Sequence, residues 1–369
     1  MFVKKKMKKL IPALIGAVAG GLGGYFGAEY LTVGQGKLTD IIVFLAALFI
    51  SYFLHIIIHE GGHLVFGLLS GYQFVSFRIG SLILYKANGK FRFGKYKLAG
   101  TGGQCLMAPP ELVDGMIPYR MYNMGGAVMN LVFSIPVLVA WIGFQFTGIL
   151  KVICIIWVLV GFFAAASNGI PMSLGEVDND GKNAFNLGKN KKALHAFWLQ
   201  LKVNQLQMEG KCLMDMPEDW FQMPEASDMS NPLIAVVAAL HCNRMLEEKR
   251  YEETSQTIEK LLHSTTGMLG VHKMLLQIDQ VFCEVMSSRR KEVLEFMNDK
   301  ALSNFRKAMR NYPSILRTEY AYALCVEKDS KKALDIKKRF EKIMKSHPNQ
   351  AELQTEKEFV LEIENTDFT

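Results

Sequence analysis

Apolar and polar positions divide the chain near residue 180. Before that point, long apolar runs alternate with short Gly-containing polar connections; after it, charged residues recur at helical spacing among Leu and Met. Four runs are long enough to cross a bilayer: residues 10–28, 40–69, 124–146 and 149–166. The first carries Gly16, Gly20 and Gly24 at intervals of four, a stripe that lets membrane helices pack closely. The second is roughly 45 Å long at 1.5 Å per residue, more than a ~30 Å hydrocarbon core, so it tilts or protrudes. Pro136 interrupts the third and predicts a kink.

Between the second and third runs the period changes. Residues 74–85 and 91–98 are β-rich, the latter alternating strictly, and Ala87-Asn88-Gly89 supplies a turn, which predicts a β-hairpin. A lone hairpin is marginal in water, so it is expected to lie on the membrane domain and to offer its edge to an extended peptide. Residues 100–103 and 108–110, rich in Gly and Pro, read as loop. After residue 183 the pattern is helix after helix, with antiparallel pairs at 232–246 with 251–262 and 316–327 with 331–345. The expected fold is a mainly α-helical membrane protein: four transmembrane helices with a membrane-associated β-hairpin, then a cytoplasmic α-helical repeat domain. Residues 1–38 form an anchor helix and loop, 39–182 the membrane core, and 183–369 the helical domain.

Charge adds orientation. The net charge is +7, but the basic residues cluster beside the apolar runs and are not interleaved with aromatics, so no nucleic-acid partner is expected. Lys4, Lys5, Lys6, Lys8 and Lys9 precede the first run, which fits a signal peptide or an uncleaved anchor; read as an anchor, it keeps these lysines in the cytoplasm. Between residues 71 and 120, Arg78, Lys86, Lys90, Arg92, Lys95, Lys97 and Arg120 stand against Glu111 and Asp114, marking that loop as cytoplasmic. Both termini are therefore expected in the cytoplasm of a multi-pass protein of a bacterial cell membrane. The six cysteines show no Cys-x-x-Cys pair, which suits a reducing compartment.

The chemistry lies inside the second apolar run. His59-Glu60-Gly61-Gly62-His63 spells His-Glu-x-x-His, a pattern that arises by chance in roughly one to two per cent of such chains. On a helix the two imidazoles share one face and reach one Zn²⁺, while Glu60 stands beside them as general base. Ionisable groups are costly in a bilayer, so three in five residues mark a site. His55, one turn earlier on the same face, reads as a helix-packing histidine, or as a group that supports or gates the site. A zinc site also wants a third protein ligand. Both Asp178 and Asp180 follow the last apolar run on the inner side, and the residues alone leave the choice open. Asn130, inside an apolar run, is expected to face protein.

Three ordered motifs resemble the site-2 protease family of intramembrane metalloproteases: His59-Glu60-Gly61-Gly62-His63, Gly125-Gly126-Ala127-Val128-Met129-Asn130, and Asn168-Gly169-Ile170-Pro171 with Asn179-Asp180-Gly181. The resemblance covers residues 40–185. It implies His59, His63 and Asp180 as zinc ligands, Glu60 as general base, and Asn130 and Asn168 as groups that steady substrate or oxyanion. The chain departs from the family in the longer stretch from Pro171 to Asp180 and in Gly126-Ala127 where Gly-Pro is common. The implied activity is hydrolysis of membrane-embedded or membrane-bound proteins or peptide precursors near the cytoplasmic face. Tyr320, Ala323, Ala333 and Pro348 are similar to the small and aromatic scheme of a tetratricopeptide repeat, which implies a protein or peptide partner on the helical domain. The competing expectation is an inactive membrane scaffold recruiting partners through those helices.

Overall fold

A computed structural model describes residues 16–18, 20–29, 38–87, 89–96, 101–174 and 177–366. Three of its helices are long and apolar enough to cross a membrane: α1 (Leu38–Leu69), α2 (Tyr119–Phe144) and α3 (Gly148–Gly169). The remaining expected span, residues 10–28, lies partly outside the described residues, and its described residues, 16–18 and 20–28, are helical. Lys151 at the start of α3 pairs with Glu29 at 2.9 Å. Helix α2 continues through Pro136 and ends at Gln145, whose left-handed backbone closes it.

The contacts divide the chain into two compact units, residues 1–79 with 102–191 and residues 80–101 with 192–369. In the first, α1, α2 and α3 pack on one another, and β1 (Gln73–Ile79) pairs antiparallel with β4 (Gly103–Ala108). The close approach of α1 to α2 depends on glycine: a Cβ on Gly62 would collide with the Gly125 carbonyl, and one on Gly125 with the Gly62 carbonyl. Below α3, short strands β5 (Ser173–Leu174) and β6 (Val177–Asp178) pair, and the chain enters α4 (Asp180–Asn186).

Two strand expectations need correction. The run 74–85 is not one strand: it breaks after Ile79 at Gly80, whose φ of +58° turns the chain into β2 (Leu82–Ala87). The run expected as loop contains β4, which lacks the β-branched alternation that marks strands but pairs from Gln73↔Ala108 to Ile79↔Gly103. The hairpin itself forms as expected, with β2 paired to β3 (Lys90–Lys95) from Leu82↔Lys95 to Ala87↔Lys90. Its place is not the expected one: it groups with the C-terminal helices rather than with the long apolar helices, and the Tyr96 ring meets His347 edge-on at 5.5 Å.

Besides short helical turns, the second unit contains α5 (Lys191–Met208), α6 (Pro232–Glu247), α7 (Tyr251–His263), α8 (Gly270–Met286), α9 (Lys300–Ala308), α10 (Pro313–Cys325), α11 (Ser330–Met344) and α12 (Gln350–Asn365). The pairs α6/α7 and α10/α11 fall where the periodicity placed them. Proline at the first turn of α6 and α10, and side-chain caps from Asn231, Asp299, Asp329 and Asn349, fix their starts. Their core is apolar, with Phe282, Leu316, Ala321, Ile336, Phe340 and Phe359 all buried. All six cysteines are buried and free.

Candidate metal centre

Residues 55, 59 and 63 follow one face of α1, and that face is turned inward. His55 and His63 are buried, while Ile50, Phe53 and Leu68 on other faces are exposed. Helix α2 supplies the wall opposite. Gly126 admits the His59 ring, because a Cβ there would collide with it. Asn130, fully buried, stands one turn further along α2.

The third element arrives through a locked loop. Asn179 caps α4 by accepting from Lys182 N at 2.9 Å, and its Oδ1 also accepts from Met172 N at 3.0 Å. Its amide nitrogen donates to Ser167 O at 2.8 Å and Ile170 O at 2.7 Å. Every hydrogen-bonding valence of this buried side chain is thus spent holding the end of α3 to the start of α4, and the next residue is Asp180. Gly181 completes the approach, since a Cβ there would meet the Gly169 carbonyl.

These elements bring three donor atoms together. Asp180 Oδ2 lies 3.1 Å from His59 Nε2 and 3.3 Å from His63 Nε2, and the two imidazole nitrogens are 3.2 Å apart. Three donors each ~2.0–2.1 Å from a tetrahedral ion would stand about 3.3 Å from one another, so the set fits Zn²⁺ in spacing and in chemistry. Among the described residues it is the one group of three His, Cys, Asp or Glu side chains close enough to hold a metal ion.

Hydrogen-bond direction assigns the tautomers. A carbonyl only accepts, so His63 Nδ1, 2.8 Å from Tyr122 O, carries the proton and Nε2 turns its lone pair toward Asp180 and His59. His55 Nε2, 3.2 Å from Trp157 O, donates for the same reason, which leaves Nδ1 of a neutral ring as acceptor. The Asn130 amide bridges His55 Nδ1 and His59 Nδ1 at 3.1 and 3.2 Å. With its oxygen toward His55, that ring would need both protons. With the amide nitrogen there instead, the oxygen accepts from His59 Nδ1, and His59 Nε2 is also free to ligate.

Glu60 stands beside this group and against β4. It accepts from the Cys105 main chain, and a Cβ added to Gly103 would lie 2.8 Å from its Oε1. Burial pushes the Cys105 thiol up to about 12, so it is neutral beside this carboxylate. Of the remaining expected residues, Asp178 is turned away: its Oδ1 accepts from Ser173 Oγ at 2.7 Å and pairs with Lys182. Asn168 also turns back on its own helix, donating to Ala164 O at 2.9 Å.

The chain matches no protein-family model, no curated protein and no solved structure. The functional reading therefore rests on residues and geometry. Sequence reasoning missed the work of Asn179, whose signal was an Asx residue directly before a helix start. It also missed the Asn130 bridge, because 71 residues separate Asn130 from His59.

Proposed function

We propose that this protein is a zinc-dependent intramembrane endopeptidase, similar to site-2 proteases, acting on membrane-embedded or membrane-bound protein and peptide-precursor substrates near the cytoplasmic face of a bacterial membrane. The observation that carries this reading is the convergence of His59, His63 and Asp180, from sequence positions 121 residues apart, beside the Glu60 carboxyl. His59, His63 and Asp180 would hold the zinc, which supplies Lewis acidity, acidifying water and polarising the scissile carbonyl.

The chain's own groups do the rest. Glu60 takes a proton from the attacking water and passes it to the departing amine. Asn130 holds the His59 ring in one tautomer. Strand β4, rather than the hairpin, supplies the main-chain edge next to Glu60, suited to an extended substrate without demanding its sequence. A transmembrane substrate helix must unwind first, because its own hydrogen bonds hide its carbonyls. We assign the C-terminal helices, read as tetratricopeptide-like, to partner or peptide recruitment, with both termini proposed to be in the cytoplasm.

The test is Glu60→Gln in the purified full-length protein with a membrane-inserted reporter substrate. Zinc content and helicity should be unchanged while cleavage falls by roughly 10²–10⁴-fold, the range for a lost general base. Undiminished cleavage by Glu60→Gln would remove Glu60 from the mechanism. Wild-type protein that holds no zinc would favour a scaffold.

A further inference from the structure

The C-terminal unit contains a cavity of about 270 Å³, walled by α5, α6, α8, α10 and α12. Its charge is unbalanced. Glu247, Asp279, Glu352 and Glu356 line it, and Arg317 is the single guanidinium among the lining residues, with no lysine. Arg317 is already engaged: Nη2 donates to Asp279, Nη1 donates to Glu356 Oε1 at 3.0 Å, and its guanidinium carbon sits 4.2 Å over the Phe282 ring. One cation so held cannot neutralise four carboxyls. The surplus is visible in an orphaned atom, since Glu356 is 5% exposed and its Oε2 has no hydrogen-bond partner. Burial raises the carboxyls of Glu247 and Glu352 to about 7 and of Glu356 to about 8; Glu352 Oε2 also lies 3.4 Å from His347 Nε2, and Glu247 Oε2 accepts from Met214 N at 3.0 Å.

We propose that this cavity binds the primary ammonium or guanidinium group of a short basic ligand, with Glu352 and the unpartnered oxygen of Glu356 as its acceptors. A metal ion fits less well, because the cavity carboxyls form no group of three converging on one point, as His59, His63 and Asp180 do. The volume equals that of about nine waters, room for a lysyl or arginyl side chain with its peptide, or for a linear polyamine. This inference stands apart from the metal centre: loss of zinc or of proteolysis would leave it intact.

The full-length protein in detergent, titrated calorimetrically with the tripeptide Lys-Ala-Lys, its uncharged counterpart Gln-Ala-Gln, and spermidine, decides the matter. At least one cationic probe should bind, with at least tenfold preference over Gln-Ala-Gln, and a Glu352→Gln chain of unchanged circular dichroism should bind it at least tenfold more weakly. Glu356→Gln should do the same; it is the less clean variant because Glu356 also pairs with Arg317. Binding of Lys-Ala-Lys alone identifies a peptide ligand, and binding of spermidine alone a polyamine. Failure of both cations to bind, equal binding of Gln-Ala-Gln, or unaltered affinity in Glu352→Gln would overturn the proposal.

Discussion

Helices α1 and α8 bury contrasting kinds of side chain. Helix α1 buries Ser51, His55, Gly62, His63 and Gly67 and exposes Phe49, Tyr52 and Leu69. Helix α8 buries Leu276, Ile278, Val281, Phe282 and Val285. One chain thus contains two inversions of a single rule, that a side chain faces the medium it matches. In the proposed arrangement α8 meets water over an apolar core. In that arrangement lipid matches the apolar faces of α1, so the interior is left for small residues that let helices touch and for polar ones that have work to do. Outside the acidic cavity, charge buried in the C-terminal helices can be met by a partner. Glu284, for example, accepts from Ser255 Oγ at 2.5 Å and from Arg290 Nε at 2.9 Å.

Substitutions can break or sharpen this contrast. The largest effect is expected at the ligands: Asp180→Ala should abolish zinc retention and cleavage together, measured by metal analysis and reporter proteolysis. Next comes a matched pair on exposed leucines, Leu45 at 56% and Leu361 at 57% exposure. Leu45→Lys should cost about 2.5–3.5 kcal/mol of membrane insertion, read by an insertion-reporter assay. Leu361→Lys should leave thermal stability within about 0.5 kcal/mol. Equal effects at the two sites would mean that α1 does not face lipid. Asn130→Ala should then weaken zinc affinity by about 10–100-fold in competition with a chelator, without loss of the folded chain, since it frees the His59 ring to turn but removes no ligand.

The smallest effect is a pH slope. Glu352 and Glu356 have carboxyls raised from 4.5 to about 7 and about 8, so the folded chain keeps protons that the unfolded chain has lost. Their contribution to stability is therefore present at low pH and lost as pH rises through 7 and 8. The melting temperature of the C-terminal helices should fall between pH 5 and pH 8. Glu352→Gln should flatten that slope and stabilise the chain at pH 8 by on the order of 1–3 kcal/mol.

How much could be read beforehand follows from the same contrast. The apolar runs of α1, α2 and α3 were legible because lipid demands length and apolarity along the chain, and His59, Glu60 and His63 because four residues make one helical turn. The pairs α6/α7 and α10/α11 were legible from their period. Strand β4 was not, because Gly103-Gln104-Cys105-Leu106-Met107-Ala108 carries no alternation and owes its form to pairing with β1. Nor did the residues choose between Asp178 and Asp180. That choice depends on where Asn179 pins the start of α4 and on Lys182 drawing Asp178 aside, both products of tertiary packing.

The most direct test of the account is the zinc content of the purified full-length chain beside that of His59→Ala. The account predicts about one zinc per wild-type chain, the stoichiometry of a single three-ligand site, and less than a tenth of that in the variant. Zinc that is absent from the wild type, or bound equally by both chains, would contradict it.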